Sequence, residues 1–416
     1  MIYILITIFA VLFAFLSWRH IYWGLYLVIV CLPAYGLRFD FGPVPMTLLE
    51  LMILVLFAVW MAKAWNDGNL RPQSRFWESA IVILLISTVA MFISSDLREA
   101  AGIWKAYFLE GFLFFTVFSG LVKDKEAVKR VILVLGVPAL YISTFAVVQY
   151  MNDGWMVPYQ YWFLGEGPRV TSFYSYPNAI GLFVAPIIAL FLGYWYARFK
   201  NRNWPRVIYS SAVIITGFFA IYLASSEGAM VALAAVLILM GLAEKRFRLL
   251  TIILVAVILI GLLSTSFGPA LWHKITLQDW SGQVRLSMWQ ETWHMLKDNW
   301  FLGSGLSGYQ TALVPYHQAK HLEIFLYPHN IIFNFWVELG LVGLLAFIYL
   351  LIKFFYLGCL TRTLERESKR ILSLAIMGGM IVMIVHGLVD VPFFKNDLAI
   401  LWWIFIGMMS ALSDSS

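Results

Sequence analysis

Residues Tyr327–Phe347 read YPHNIIFNFWVELGLVGLLAF. A tyrosine, a proline, a histidine and an asparagine open the segment, and an apolar run follows. The run is long enough to cross a bilayer, for which about 20 residues suffice. Because lipid offers the backbone no hydrogen-bond partner, such a run is predicted to be a helix. A titratable imidazole, His329, therefore stands at the mouth of a membrane helix, and its role depends on the side that it faces.

The composition of the whole chain indicates that this helix is one of many. Of the 416 residues, 62% are hydrophobic and 12% are charged, whereas about a quarter of a typical soluble chain is charged. The 18 tryptophans suit side chains anchored at two water–lipid interfaces. We predict an all-α polytopic membrane protein in which residues 1–416 form a single integral membrane domain. The net charge of +6 requires no nucleic-acid partner, since the basic residues cluster in short loops.

The apolar runs predict about 12–13 transmembrane helices, the lower number applying if the first two short runs do not both cross. The first run has no basic flank and no small-residue cleavage site, so it is predicted to be retained and not removed as a signal peptide. The predicted spans are Ile2–Leu16, Ile21–Tyr35, Met46–Trp65, Trp77–Ile93, Trp104–Val122, Val128–Tyr150, Tyr176–Arg198, Val207–Ala224, Gly228–Ala243, Leu249–Ser264, Asn330–Phe355, Ile371–Val389 and Leu398–Leu412.

Five basic loops fall on one side when these spans alternate, and the positive-inside rule makes that side, with the C-terminus, cytoplasmic. Residues 150–175 and 265–328 are then outer loops, and residues 329–412 are C-terminal transmembrane helices. Within the larger loop, LSMWQETWHML (Leu286–Leu296) has apolar residues at helical spacing and predicts an amphipathic helix in the outer interface. The basic residues are Arg71, Arg75, Lys123, Lys125, Lys129, Arg130, Arg198, Lys200, Arg202, Arg206, Lys245, Arg246, Arg248, Arg362, Arg366, Lys369 and Arg370.

Two arginines break the charge rule by falling in the outer loops. Arg169 lies in GEGPRVTSFYSYPN and Arg285 in SGQVRLSMWQ. A single outer arginine ordinarily pairs with a carboxylate or a lipid head group, but two of them beside small and aromatic residues suggest a pocket for an anion such as a diphosphate. His329 belongs to the same face, where the positive end of its helix favours a neutral imidazole that can accept a proton. The alternative is an interfacial histidine bonded to nearby backbone.

Five further polar residues are secondary candidates. Asn330 is either a helix cap or a sugar-binding amide, and Glu227 is either functional or part of a solvated turn. His386 and Asp390 lie one helical turn apart and are predicted to form a structural pair. Glu338 lies nine residues beyond His329 and is predicted to be a buried packing partner on the opposite side of the helix.

No metal site or cofactor is expected from the sequence. His317, His321 and Glu323 are close together, but their spacing is irregular and no cysteine accompanies them. Cys31 and Cys359 lie in or beside apolar runs and form no CxxC motif. No Walker-type motif and no GxGxxG after a strand are present, so no nucleotide partner is expected; GSGLSG, Gly303–Gly308, is predicted to be a turn.

The motifs resemble those of the O-antigen ligase and O-antigen polymerase family of bacterial membrane glycosyltransferases. RVTSFYSYPNAIGLF looks like the family's Arg–small–Phe…Pro–Asn segment, and GQVRLSMWQETWHMLKDNWFLGSGLSGYQ like its Arg…Trp…Gly-x-Gly segment. PHNIIFNFWVELGLVGLL looks like its His–Asn/Ser…Glu-x-Gly-x-x-Gly signature. The resemblance runs from about Tyr150 to the C-terminus. One departure is Ser226–Glu227–Gly228, where family members often carry Ser–Arg–Gly, which suggests a divergent branch.

The resemblance implies that a glycan moves from an undecaprenyl diphosphate-linked donor to a glycan or lipid-glycan hydroxyl acceptor, without a metal, in the bacterial inner membrane. Arg169 and Arg285 match the arginines thought to hold the diphosphate, and His329 matches the histidine thought to activate the acceptor. We therefore expect an inverting O-antigen ligase-like glycosyltransferase whose active site faces the periplasm. The alternatives are a polymerase of the same family, a lipid-linked oligosaccharide flippase or other transporter, and a structural or signalling membrane protein. A transporter usually places ionisable groups near the membrane midplane.

Overall fold

The computed structural model describes residues 2–414 except 43, 66, 165–166, 264–271, 275, 320–322 and 365–366. A π-helical segment, Trp104–Leu109, joins the fifth and sixth helices into one element, Leu97–Leu121. The helices are α1 (Ile2–Arg19), α2 (Ile21–Val30), α3 (Leu48–Ala64), α4 (Trp77–Ile93), α5 (Leu97–Ile103), α6 (Glu110–Leu121), α7 (Lys125–Met151), α8 (Tyr159–Trp162), α9 (Asn178–Lys200), α10 (Trp204–Leu223), α11 (Glu227–Ala243), α12 (Lys245–Leu263), α13 (Trp280–Asp298), α14 (Tyr309–Leu313), α15 (Ile331–Leu364), α16 (Glu367–Gly387) and α17 (Asn396–Asp414).

The predicted fold class is confirmed, because every predicted span overlaps a helix and the protein is an all-α polytopic membrane protein. Seven helical stretches of the described chain are long and apolar enough to cross a membrane unaided. Four shorter apolar helices accompany them, so the number of crossings stays a prediction. The seven are Leu97–Leu121, Lys125–Met151, Asn178–Lys200, Trp204–Leu223, Ile331–Thr363, Lys369–Gly387 and Asn396–Ser413.

The core of the bundle lies around α9, α16 and α17. Helix α17 is buried over almost its whole length, and Trp402 and Phe405 are among its fully enclosed side chains. Small residues allow close approach: a Cβ on Gly193 of α9 would stand 2.5 Å from the Cβ of Ala375 of α16. Helices enclosed on all faces belong in the centre of a bundle, with the less buried helices around them.

The predicted basic loops meet at one end of the bundle. Lys123 donates to the Arg71 carbonyl over 3.0 Å, Lys200 pairs with Glu367, and Arg370 pairs with Glu244 at 3.1 Å. The predicted outer loops belong to the other end, while Arg366 lies outside the described residues. The side of the membrane that each end faces stays a prediction.

The first third of the chain differs from the predicted spans in two places. Helix α2 ends at Val30 and gives way to a 3-10 helix, Leu32–Gly36, so it is shorter than predicted. A two-stranded antiparallel hairpin follows, β1 (Arg38–Phe41) with β2 (Val44–Thr47), which the apolar pattern did not reveal. Thr47 ends the hairpin and caps α3 through a reciprocal pair of bonds with Glu50.

Helix α15 is broken at a glycine of the signature, and the GSGLSG segment packs into the break. Gly340 has φ 69° and ψ −177°, so a side chain there would be strained. Leu341 donates its amide to the Phe301 carbonyl, and Ser304 donates to the Val337 carbonyl. A Cβ on Gly340 would stand 2.3 Å from the Phe301 oxygen. The predicted turn at Gly303–Gly308 is therefore a loop fitted to the kinked helix.

Candidate active site

His329 stands one residue before the cap of α15. Its backbone has φ 44°, a region that is uncommon for residues other than glycine and often marks functional sites. Asn330 caps the helix by accepting from the Ile332 and Phe333 amides at 3.0 and 3.2 Å. Trp289 of α13 donates to the Pro328 carbonyl over 2.9 Å. The backbone on both sides of His329 is therefore held in place, and 37% of the His329 side chain is exposed.

Asp390, in the connection between α16 and α17, is the carboxylate beside His329. Its Oδ1 lies 3.4 Å from Nδ1 of His329, and its side chain is 8% exposed. Burial by itself raises the pKa of Asp390, but its hydrogen bond with His329 and that residue's positive charge outweigh burial, and the pKa falls to about 2. An ionised carboxylate at this position orients the imidazole ring.

Arg169 reaches the same connection through Asn178. Its Nη2 donates to Oδ1 of Asn178 over 2.8 Å, and Nδ2 of Asn178 donates to Oδ2 of Asp390 over 3.3 Å. Its Nε donates to the Ala224 carbonyl over 2.9 Å. Asn178 begins α9, so that helix presents the amide that links the guanidinium to the carboxylate.

Arg285 approaches from α13. Its Nε donates to the Val389 carbonyl over 3.1 Å, and its Nη1 donates to Oγ of Ser281 over 2.8 Å, one helical turn earlier. Asn330 donates to the neighbouring Leu388 carbonyl over 3.0 Å. The connection Leu388–Asp390 therefore receives Arg285, Asn330 and His329 directly and Arg169 through Asn178.

The remaining predicted residues lie at or beyond the edge of this cluster. Glu338 is fully buried, as predicted, and accepts from the Ser307 amide over 2.8 Å, so it fixes the loop inserted at Gly340. Glu227 begins α11 and pairs with Lys274 at the surface, with 56% of its side chain exposed. Asn330 serves as the helix cap, and its binding of a sugar stays a prediction.

The hydrogen bond predicted between the side chains of His386 and Asp390 is not present among the described residues. Helix α16 ends at Gly387, so the helical periodicity that suggested the pair does not extend to residue 390. Asp390 bonds to Asn178 and the Val391 amide and pairs with His329, whereas His386 is buried and its Nδ1 finds no acceptor or donor in the described chain.

A second histidine–carboxylate pair lies nearby in the outer loop. Nδ1 of His317 is 3.0 Å from Oε2 of Glu291, whose Oε1 accepts from the Gln318 and Ala319 amides. Burial raises the pKa of Glu291, but these hydrogen bonds lower it by more than burial raises it. The pKa of Glu291 is therefore below its ordinary value. His321, the third residue of the irregular histidine group, lies outside the described residues.

The predicted amphipathic segment lies within helix α13, and only part of its predicted apolar stripe is buried. Leu296 of the stripe packs with Met295 in a cluster that includes Tyr309 and Leu313, while Leu286 and Trp293 are 38% and 43% exposed. Leu286 and Trp293 give α13 an exposed apolar edge. The placement of this helix in the membrane interface stays a prediction.

Two site residues escaped the sequence analysis in their present roles. Asn178 lies in the quoted SYPNAIGLF segment, directly after a proline at the start of an apolar run, which is a signal for a helix entry. Asp390 lies in VDVPFF, where the following proline indicates a chain that has left the helix. Neither signal says which distant side chain the residue meets.

The arrangement combines a proton acceptor, its orienting carboxylate and two guanidinium groups. A neutral imidazole whose Nδ1–H points to a carboxylate leaves the Nε2 lone pair for a proton. Guanidinium groups beside it are suited to bind phosphate and to stabilise negative charge that develops on a leaving group. The cluster therefore has the parts needed for displacement of a phosphorylated leaving group by a hydroxyl.

Two comparisons with known proteins bear on this cluster. A family model described as O-antigen ligase matches residues 212–348, a range that includes Arg285 and His329. The O-antigen ligase of Salmonella typhimurium strain LT2 is 24% identical over 324 residues, which cover 73% of this chain and 75% of the relative. Both similarities support the O-antigen ligase family for this chain. They also support a glycosyl-transferring function in a membrane, and the relative's match extends well beyond the region of the family model.

Proposed function

We propose that the protein transfers a glycan from an undecaprenyl diphosphate-linked donor to a hydroxyl acceptor at the outer face of the membrane, with inversion and without a metal. The observation that carries this proposal is the convergence of Arg169, Arg285 and the His329–Asp390 pair on the connection 388–390. Residues from four separate parts of the chain meet there, in a chain that is similar to O-antigen ligases.

The two arginines are proposed to bind the diphosphate of the donor. A guanidinium has five N–H donors. Nη1 of Arg169 and Nη2 of Arg285 make no hydrogen bond within the described residues, so each can offer its N–H groups to phosphate oxygens. The Nε atoms are tied to the Ala224 and Val389 carbonyls, which holds each group in one orientation. Fixed donors stabilise charge on the departing diphosphate at little reorganisation cost.

His329 is proposed to be the general base. The acceptor hydroxyl oxygen attacks the anomeric carbon, its proton passes to Nε2 of His329, and the bond from that carbon to the diphosphate oxygen breaks. The diphosphate leaves with the electron pair on the face opposite the new bond, which inverts the anomeric configuration. Asp390 stabilises the imidazolium formed and keeps Nδ1 as the protonated nitrogen.

The partners of this proposed reaction are a donor anchored by its polyprenyl tail, a glycan or lipid-glycan acceptor, and the lipid bilayer. The tail would reach the site sideways from the membrane, while the diphosphate lies at the water-exposed end. The proposed setting is the bacterial inner membrane, with the site at the periplasmic face and the C-terminus in the cytoplasm. The grouping of the basic loops at the opposite end supports that orientation.

The test is a transfer assay on the purified full chain in detergent with a chelator present. The protein is supplied with an undecaprenyl diphosphate-linked glycan and either a lipid-core acceptor or a second donor molecule. We expect a new glycosidic bond that is lost in His329→Ala, Arg169→Ala and Arg285→Ala and retained in His317→Ala. Elongation of the donor glycan alone would indicate a polymerase. Movement of label across proteoliposomes with no new bond would overturn the proposal in favour of a transporter.

A further inference from the structure

Lys395 lies in an unusual position, at the start of the last helix. The Ala399 amide donates to the Lys395 carbonyl, so this lysine stands at the cap of α17, where the positive end of the helix dipole disfavours a cation. Its Nζ is buried and donates no hydrogen bond to any of the described residues. A buried charge at this place is costly, and stability alone gives no reason for it.

Three tyrosine rings surround the ammonium group. The ring centroids of Tyr174, Tyr35 and Tyr176 lie 4.1, 4.8 and 5.4 Å from Nζ of Lys395. Oδ1 of Asp397 lies 3.7 Å from the same nitrogen. Cation–π contacts are strongest when the cation is withdrawn from water, as it is here. The rings and the carboxylate therefore replace the hydration that the lysine has lost.

Two of the three tyrosines belong to the chain segment that ends at the site. Tyr174 and Tyr176 lie between Arg169 and Asn178, whereas Lys395 lies between Asp390 and α17. The two segments meet again where Asn178 donates to Asp390 over 3.3 Å. The contact between Lys395 and the tyrosines therefore joins the same two segments as the contact between Asn178 and Asp390.

We propose that Lys395 is a positioning residue, which through Tyr174 and Tyr176 holds Asn178 against Asp390 and thereby sets the orientation of His329. This inference rests on the proposed function for its effect on turnover, although the effect on His329 itself does not need that function. Arg169 is held independently by the Ala224 carbonyl, so loss of the lysine charge acts on the His329–Asp390 pair more than on the arginine.

Lys395→Met keeps the length of the side chain and removes its charge. We expect kcat to fall about tenfold with the donor KM changed less than about twofold, the pattern of a group that acts after binding. Lys395→Arg keeps the charge and is expected to recover part of the loss. The matched control is Lys353→Met, because Lys353 lies 6.0 and 5.9 Å from the Phe76 and Tyr349 ring centroids and has no contact with the site cluster.

A second measurement separates this inference from the proposed function. The rate at which diethyl pyrocarbonate modifies His329 is followed by mass spectrometry of the full chain in detergent, with His317 as the internal reference. We expect Lys395→Met to change the His329 rate in the same direction as Asp390→Asn and by at least half as much on a logarithmic scale. Lys353→Met is expected to leave that rate unchanged.

The outcomes are distinct. If His329 reactivity and kcat stay at wild-type values in Lys395→Met while the melting temperature falls, the lysine is only structural and the inference is overturned. If Lys395→Met does not fold, Tyr176→Leu supplies the same test from the other side of the contact. If both Lys395→Met and Asp390→Asn change His329 reactivity but the wild-type protein forms no glycosidic bond in the transfer assay, the positioning role stands and the proposed function fails.

Discussion

Two histidine–carboxylate pairs lie in the outer part of the molecule, and they differ in what surrounds them. His317 is 12% exposed, and its partner Glu291 is occupied by two backbone amides. His329 is 37% exposed, and its partner Asp390 is connected through Asn178 to Arg169. The first pair fastens a loop to α13, whereas the second leaves a ring nitrogen open beside two cations. We propose that the same two functional groups form an active site only at His329, where exposure and neighbouring positive charge are added.

Helix α13 contributes a residue to the surroundings of each of the two pairs. Glu291 and Arg285 lie on the same helix, yet Glu291 is directed to the loop 317–319 and Arg285 to the connection 388–390. The middle of the helix, at Glu291, therefore contacts the loop 317–319. The earlier turn that carries Arg285 contacts the proposed site. Substitutions in the two pairs are expected to separate stability from activity.

The largest expected effect is that of His329→Ala. Loss of a general base is expected to lower kcat by about 10²–10⁴-fold, since proton transfer from the acceptor hydroxyl then has no positioned acceptor. The measurement is the initial rate of glycan transfer at saturating donor. His317→Ala is the matched control, and we expect it to keep kcat within about threefold of wild type, because its ring contacts a carboxylate already satisfied by backbone. Equal losses in the two variants would remove the distinction between the pairs.

Charge-conserving changes at the arginines are expected to have the next largest effect. Arg169→Lys and Arg285→Lys keep one positive charge but lose the planar fork, so we expect kcat/KM to fall by about 10–100-fold, since bidentate phosphate contacts and the tether to a carbonyl are both lost. Binding of undecaprenyl diphosphate without glycan, measured by calorimetry, is expected to weaken in parallel. Unchanged binding in both variants would exclude the diphosphate as their ligand.

The lowered pKa of Asp390 is expected to make the stability of the folded protein depend on pH in the acid range. Its pKa is lowered from 3.8 to about 2, so it binds fewer protons in the folded than in the unfolded state. This contribution to stability is complete above about pH 4, is lost as the pH falls towards 2, and amounts to roughly 2 kcal/mol. Unfolding followed from pH 5 to pH 2 is expected to be less pH-dependent in Asp390→Asn than in wild type. An identical pH dependence in the two proteins would contradict the ion pair with His329.

The smallest expected effect is that of Glu227→Gln. Glu227 replaces the arginine that often stands at this point in the family, but it forms an exposed pair with Lys274, and such pairs contribute little. We expect transfer rates within about twofold of wild type for the natural donor. A loss as large as that of the arginine variants would place residue 227 within the donor site.

The sequence predicted the helices and the three central residues for simple physical reasons. Backbone in lipid must be helical, so apolar length alone locates the elements. Arg169 and Arg285 were found because cations on the outer side violate the charge rule, and His329 because it precedes an apolar run. These signals are local in the chain, or depend only on counting spans.

The rest of the site depends on contacts between distant segments, which no local pattern encodes. Helical spacing predicts that Asp390 pairs with His386, which requires helix α16 to continue to residue 390. The helix ends at Gly387, and the turn that follows directs the Asp390 carboxylate to His329. The break at Gly340 and the role of Lys395 require the neighbouring loop and tyrosines to be in place. Sequence spacing therefore predicted elements and candidates, and packing decided the partners.

The central claim is that phosphate binds between Arg169 and Arg285 beside the His329–Asp390 pair. The most direct test is an electron cryo-microscopy structure of the full chain with undecaprenyl diphosphate. We predict phosphate density in contact with both guanidinium groups and on the side of Nε2 of His329, with the tail entering between helices. Diphosphate density among the basic loops at the opposite end of the bundle, with the guanidinium groups unchanged, would contradict this account.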